Sequence, residues 1–177
     1  MNPKFFKSSI IFILLILFTL SSSLQAQDKK MMPEDSLLYI AHSIIDSAKC
    51  KVLITVDDEG KPQARAMATF PVDKDMIVWL GTSTDSRKVK QIKNNPNVMV
   101  YYYDSDGHSY VSLAGEAELI NNPKMKGKYW KKGWERYFQD REKDYILIKV
   151  ITKRMEVCSY KHKLFWDESG KPAYLEF

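Results

Sequence analysis

Six apolar runs of strand length, each closed by a turn, leave this chain few folds. They are "CKVLITVD" from Cys50, "QARAMATF" from Gln63, "MIVWLGT" from Met76, "VMVYYYD" from Val98, "SYVSLAGEAELI" from Ser109 and "DYILIKVITKRMEVCSY" from Asp144. Runs rich in β-branched and aromatic residues, punctuated by Gly, Pro and Asp, read as strands. "DEGKP", with Gly60 and Pro62, joins the first two as a hairpin, and "FWDESGKPAYLEF" reads as a closing hairpin around Gly170, Lys171 and Pro172. Helices fill the longer gaps. Leu37, Ile40, Ala41, Ile44, Ile45 and Ala48 recur on one helical face of residues 33–49, the spacing of an amphipathic helix. "SRKVKQIKN" is a second helix, which must stop before Asn95-Pro96 because a proline disfavours helix in the residue before it. Asn122 to Phe138 reads as a third helical region, interrupted by Gly127 and Gly133. The sum predicts a mainly β fold, a small six-stranded antiparallel barrel with flanking helices.

The first 26 residues are set apart from that fold. Lys4 and Lys7 precede the apolar run "IIFILLILFTL", and "SSSLQAQ" follows with Ala26 at a small-residue cleavage position. This is the order of a secretory signal peptide, and the run is short against the roughly 20 residues a membrane span needs. The reading predicts a signal peptide over 1–26 and one domain over 27–177, exported and periplasmic, free of the membrane after cleavage. An uncleaved anchor is the alternative. No Arg-Arg pair precedes the run, so export of the unfolded chain is expected.

Losing the leader removes two lysines and takes the net charge from +5 to +3. That is too mild for a nucleic-acid binder, in which basic residues dominate a face. Histidines at 42, 108 and 162 are too scattered to assemble a zinc site by spacing. Cys50 and Cys158 stand at opposite ends of the domain; they pair as a disulfide in an oxidising compartment or remain two separate small side chains.

Chemistry concentrates between the third and fourth runs, in "GTSTDSRKVKQIKNNPN". Thr82, Ser83 and Thr84 offer hydroxyls. The start of the following helix offers unpaired N–H groups and the positive end of a dipole. Arg87 and Lys88 add charge, and an arginine can grip phosphate with two parallel bonds. Arg65 shares a strand face with Met67 and Thr69, poor core material that can line a ligand. The same residues also describe a capped surface helix with solvated basic side chains.

In their order, "TVDDEGKPQARAM", "IVWLGTSTDSRKVKQIKNNPNVMVYY", "GEAELI" and "DYILIKV" resemble the flavin-binding split-barrel family that includes pyridoxamine 5′-phosphate oxidase, above all its short general-stress-protein branch. The likeness runs from about Asp35 to Val157. It implies a six-stranded antiparallel split β-barrel and a homodimer with FMN at the interface. It further implies that Arg65 and Lys88 bind the phosphate, with Ser86 and Arg87 beside it. Met67 and Ala68, and Gly81 and Thr82, would then meet the flavin ring or its ribityl chain. Tyr110 stands where the oxidases turn a glutamine toward the flavin. Two departures count against the oxidase reaction itself. Phe70 replaces the lysine that helps the oxidases hold pyridoxal phosphate, and "MEVCSYKHKLFW" has no Arg-x-His.

The leading functional reading is therefore a flavin-dependent oxidoreductase of open substrate. The alternative is a non-catalytic flavin or haem binder for storage or stress, in which Trp79, Tyr101, Tyr103, Tyr110, Trp130 or Trp134 stack on the ligand and His108 ligates a haem. A barrel that has lost its ligand is the third reading.

Overall fold

The computed structural model describes residues 32–177, so the expected leader over 1–26 and residues 27–31 lie outside the described residues. Seven strands form one antiparallel sheet: β1 (Cys50–Val56), β2 (Pro62–Ala66), β3 (Val78–Ser83), β4 (Asn97–Asp104), β5 (Ser109–Ile120), β6 (Tyr145–Ser159) and β7 (Ala173–Glu176). Their order is β2-β1-β4-β5-β6-β3, with β7 beside β6. The long strand β6 carries β5 along one edge and divides the other: its first residues pair β3 and Arg154–Val157 pairs β7. All six runs of the sequence contribute strands, but the expected closing hairpin does not form: Asp167 to Lys171 is a turn, and only its second arm is a strand, β7, which pairs with β6.

The barrel closes where the expected second strand breaks. "QARAMATF" reads as continuous, yet β2 leaves its ladder with β1 at Ala66. The chain then bridges Thr69 to Leu80 of β3, and the Phe70 N–H donates to the Trp79 carbonyl at 3.0 Å. One short segment thus serves both ends of the sheet, a change of partner that local sequence pattern does not encode.

Strand alternation sends Leu53, Val100, Tyr102, Leu113, Val150 and Met155 inward, all fully buried. The first helix, α1 (Glu34–Ser47), lays Leu37, Ile40, Ala41, Ile44 and Ile45 over this core. Between β5 and β6 the register slips at Ala114/Gly115. A β-carbon on Gly115 would collide with the Ile151 carbonyl, so glycine permits the bulge. The bulged Lys153 is not wasted; its carbonyl accepts from the Phe177 N–H at 2.9 Å and secures the C-terminus.

The basic helix α2 (Arg87–Asn94) stops before Pro96, as its sequence requires. The third helical region is shorter than expected. It resolves into α3 (Pro123–Lys128) and a 3-10 turn (Trp134–Arg136), followed by a four-residue helix α4 (Arg141–Asp144) that the sequence did not announce. Helix α3 has already ended at Lys128, and Gly133, in the left-handed region at φ +89°, redirects the chain into the 3-10 turn. What holds this segment is a second apolar cluster around Phe70, Trp79, Tyr145 and Leu147. Tyr129 stacks on Trp79 with centroids 4.4 Å apart, and the Tyr145 hydroxyl donates to the Tyr129 carbonyl at 2.5 Å.

Cys50 and Cys158 are both free thiols. They lie in one row across the sheet, Cys50 opposite Tyr103, Tyr103 opposite Tyr110, Tyr110 opposite Cys158. Two whole strands separate them. With neighbouring strands about 4.8 Å apart, a disulfide within one chain is excluded.

Candidate functional site

The loop after β3 and the start of α2 come together with β2 in a nest of three cations. Lys88 reaches back so that its Nζ donates to Thr82 Oγ1 at 2.9 Å, and Thr82 Oγ1 lies 3.3 Å from Ser86 Oγ as donor. Ser86 is the N-cap of α2, but its side chain caps no backbone amide; its carbonyl accepts from the N–H groups of Val89 at 3.0 Å and Lys90 at 3.4 Å, which leaves those of Arg87 and Lys88 at the helix start.

Arg65 arrives from the neighbouring strand and is held in place by two buried polar groups. Its Nη1 donates to Thr55 Oγ1 at 2.6 Å and its Nη2 to Gln91 Oε1 at 3.0 Å, while the Thr55 hydroxyl donates to the same Gln91 oxygen at 2.6 Å. Thr55 is 0% exposed and Gln91 8%. A polar pair buried among apolar neighbours is costly unless fully bonded, so both are committed to orienting the guanidinium. Sequence reading missed them. Their signal was a Thr on the inward face of β1 and a Gln between Val89 and Ile92 on the buried side of α2.

Electrostatically the nest is one-sided. Among the described residues no ion pair reaches Arg65, Arg87 or Lys88. Burial, then Arg65 and Arg87, push the Lys88 ammonium below its ordinary pKa. Burial and Arg87 act on Arg65 in the same direction. Arg65 and Lys88 are half-buried and Arg87 is exposed beside them; like charges gathered without a carboxylate are unfavourable until an anion neutralises them. Hydroxyls, helix amides and a forked guanidinium are what a phosphate monoester requires.

The remaining sequence candidates divide. Thr82 shares the inward face of β3 with Val78 and Leu80 and belongs to the nest. Gly81 points the other way: a β-carbon there would strike Tyr145 and, at 2.7 Å, Trp134 Cζ3. Its side-chain face is therefore covered by the aromatic cluster, and only its backbone is open to a ligand. Met67 packs against the main core, and Ala68 is exposed in the gap between β2 and the bridge at Thr69. Tyr110 is not brought to the nest within one chain. Thr82 pairs with Ile146 and Tyr110 with Cys158, so about 40 Å measured along β6 separates the two levels. Tyr110 instead stacks on Tyr101 with centroids 5.3 Å apart on the outer face of the sheet.

Trp79 is 7% exposed and packs. Trp130 and Trp134 belong to the aromatic cluster. Tyr103 is partly exposed on the outer sheet face, and His108 sits in a turn with its ring edge-on to Tyr160 at 6.3 Å. Phe70 meets Tyr129 at 5.1 Å and Trp134 at 5.8 Å; this position is committed to packing. Among the described residues no group of His, Cys, Asp and Glu can hold a metal ion, and no helix is long and apolar enough to cross a membrane.

Comparison with known proteins places the fold that carries this site. The family described as "Pyridoxamine 5'-phosphate oxidase like" matches residues 39–171. General stress protein 26 of Bacillus subtilis is 33% identical over 111 residues, 61% of this chain and 77% of that protein. The crystal structure of general stress protein 26 from Bacillus anthracis superposes with a TM-score of 0.63 at 25% identity, covering 80% of this chain and 98% of that one. A pyridoxamine 5′-phosphate oxidase-related, FMN binding protein from Nostoc punctiforme shares the fold at TM-score 0.59 and 13% identity, over 84% of this chain and 98% of its own.

Proposed function

The chain belongs to the pyridoxamine 5′-phosphate oxidase-like family, and from that premise we propose that it binds FMN and serves as an exported flavin-dependent oxidoreductase. The observation that carries the reading is the uncompensated nest. Arg65, Arg87 and Lys88 would hold the phosphate, with Thr82 and Ser86 as hydroxyl partners. The open backbone at Gly81 and the gap at Met67 and Ala68 would border the ring and ribityl chain. Bound there, flavin supplies the electron-transfer chemistry. The protein contributes position and charge. Thr55 and Gln91 orient Arg65; the aromatic cluster fixes β3 from behind through its contact with Gly81.

Pyridoxamine phosphate oxidation is not the reaction we assign. The lysine expected by the oxidases at position 70 is Phe70, buried among Tyr129 and Trp134; the ammonium beside it, that of Lys131, lies over the Phe70 ring at 4.9 Å and is spent on the Thr69 carbonyl at 3.0 Å.

The functional unit we propose is a homodimer. The outward sheet face carries Val52, Ile54, Met99, Tyr101, Tyr110 and Ala114, all only half-buried in the single chain. A contiguous apolar face of this kind marks an interaction surface, and a second copy would bring its own Tyr110 toward a nest that this chain's Tyr110 does not reach. Export rests on the leader, and the mature chain would begin at Gln27.

Absorbance of the purified protein, with FMN uptake by the ligand-free form, tests the proposal. Flavin bands, or stoichiometric uptake of FMN, support it. A colourless protein that takes up no FMN overturns it, and a Soret band would point to the haem-binding alternative. Sedimentation that stays monomeric across concentration removes the dimer, and a mature N-terminus other than Gln27 removes the expected cleavage.

A further inference from the structure

Apart from the cation nest, the aromatic cluster opens into a pocket of about 440 Å³ lined by Trp130, Phe138, Glu135, Asp140, Arg141 and Glu142. That volume is within the range of small-molecule sites. Two aromatic rings form the apolar wall, Trp130 and Phe138, with centroids 5.9 Å apart. Trp130 is braced from behind by Tyr145, edge to face at 5.2 Å.

Besides Gln139 and Arg141, the polar part of the lining is three carboxylates. Glu135 accepts from Trp130 Nε1 at 3.1 Å and from the Gly133 N–H at 2.8 Å. Its own backbone amide and the Trp130 indole hold its carboxyl below the ordinary range. Asp140 caps α4, accepting from the N–H groups of Glu142 at 3.0 Å and Lys143 at 3.3 Å. The third carboxylate, Glu142, lies 3.5 Å from Arg141. Against these three stands one lining cation. Lys143 pairs with Asp140 at 3.3 Å, but its side chain is 83% exposed and directed to solvent. Lys126, although 0% exposed beneath α4, spends its ammonium on the carbonyls of Arg141 and Glu142.

The lining cation shows what the indole face selects. The Arg141 guanidinium lies over the Trp130 ring, 5.7 Å from its centroid, within cation–π range. Its side chain is 45% exposed and, apart from that ring, its ion-pair contact among the described residues is the long one with Glu142 at 3.5 Å, so it is held loosely. We propose that this pocket is a second ligand site, for a small organic cation of the alkylammonium class, and that Arg141 is the resident charge such a ligand displaces from the Trp130 face. The site is independent of the flavin reading: it uses none of the residues of the nest.

Choline titrated into the purified chain, followed by tryptophan fluorescence, tests the proposal, with the alcohol in which carbon replaces the quaternary nitrogen as uncharged control. Saturable binding is expected, absent in Trp130→Leu, with the control about tenfold weaker and Glu135→Gln about fivefold weaker. The deciding variant is Arg141→Ala, which keeps the backbone carbonyl that Lys126 uses. Displacement of a resident competitor predicts that it binds choline about threefold more tightly, whereas a purely structural arginine predicts equal or weaker binding. Should Arg141→Ala fail to fold, Arg141→Gln reads the same difference. Equal affinity for choline and its uncharged counterpart, or no gain on removing the Arg141 charge, overturns the proposal.

Discussion

Replacing Lys88 by methionine separates the phosphate from the rest of the flavin. The variant keeps the aliphatic stem and removes only the ammonium that now rests 2.9 Å from Thr82 Oγ1. A charged hydrogen bond to phosphate contributes about 1.5–3 kcal/mol, so the Kd for FMN should rise about 10- to 140-fold. Riboflavin has no phosphate, and its Kd should move by no more than about twofold. Titration of ligand-free protein, read by quenching of flavin fluorescence, gives both constants. The ligand-free stabilities should respond in the opposite sense. Lys88 is half-buried and repelled by Arg65 and Arg87, which sets its pKa in the folded state below the ordinary 10.5. Below that folded-state value the penalty of the charged form is fully present, and Lys88→Met escapes it. Between the folded-state value and 10.5 the unfolded wild type holds more protons than the folded one, so wild-type stability rises with pH relative to the variant. Urea unfolding of both proteins from neutral to alkaline pH measures that difference. Equal weakening of FMN and riboflavin, or a ligand-free variant less stable than wild type at neutral pH, would refute the assignment of Lys88 to the anion.

The other predictions concern the supports of the site. Thr55→Val removes an acceptor from Arg65 and should weaken FMN by about 0.5–1.5 kcal/mol while sparing riboflavin; the same titration checks it. Gly81→Ala drives a methyl group into Tyr145 and Trp134 and should destabilise the fold by about 1–3 kcal/mol in chemical denaturation. Gly115→Ala meets the Ile151 backbone, which yields less readily than a side chain, so it should lie at or above the top of that range of about 1–3 kcal/mol. Thiol titration of the denatured, unreduced chain should find Cys50 and Cys158 both reactive, because two strands part them.

Much of the fold was legible because its signals are local. The face of α1 was written in the spacing from Leu37 to Ile45, and the end of α2 in Pro96. Ser86, Arg87 and Lys88 stood out as candidates because charge and hydroxyls were concentrated where a strand leads into a helix, and Arg65 because it shared a strand face with Met67 and Thr69. What stayed hidden depended on distant partners. The break in β2 answers to Leu80, and Thr55 and Gln91 declare their purpose only when Arg65 arrives between them. The segment around Trp130 reads as helix by composition, but Gly133 and the stacking of Tyr129 on Trp79 decide otherwise. Gly81 looked like an opening for a ligand, and on its side-chain face the aromatic rings had already taken the space.

The closure of the barrel at Thr69 has a consequence for motion. Elsewhere each strand is laced to its neighbour by a full ladder, but here a single bridge and the Phe70–Trp79 bond hold the two ends of the sheet together. Sub-global opening starts where the fewest bonds must break, so amide hydrogens along this join should exchange with solvent well before those of β5 and β6. The join borders Met67 and Ala68, so on the flavin reading proposed above the most easily parted line of the barrel would lie beside the ring.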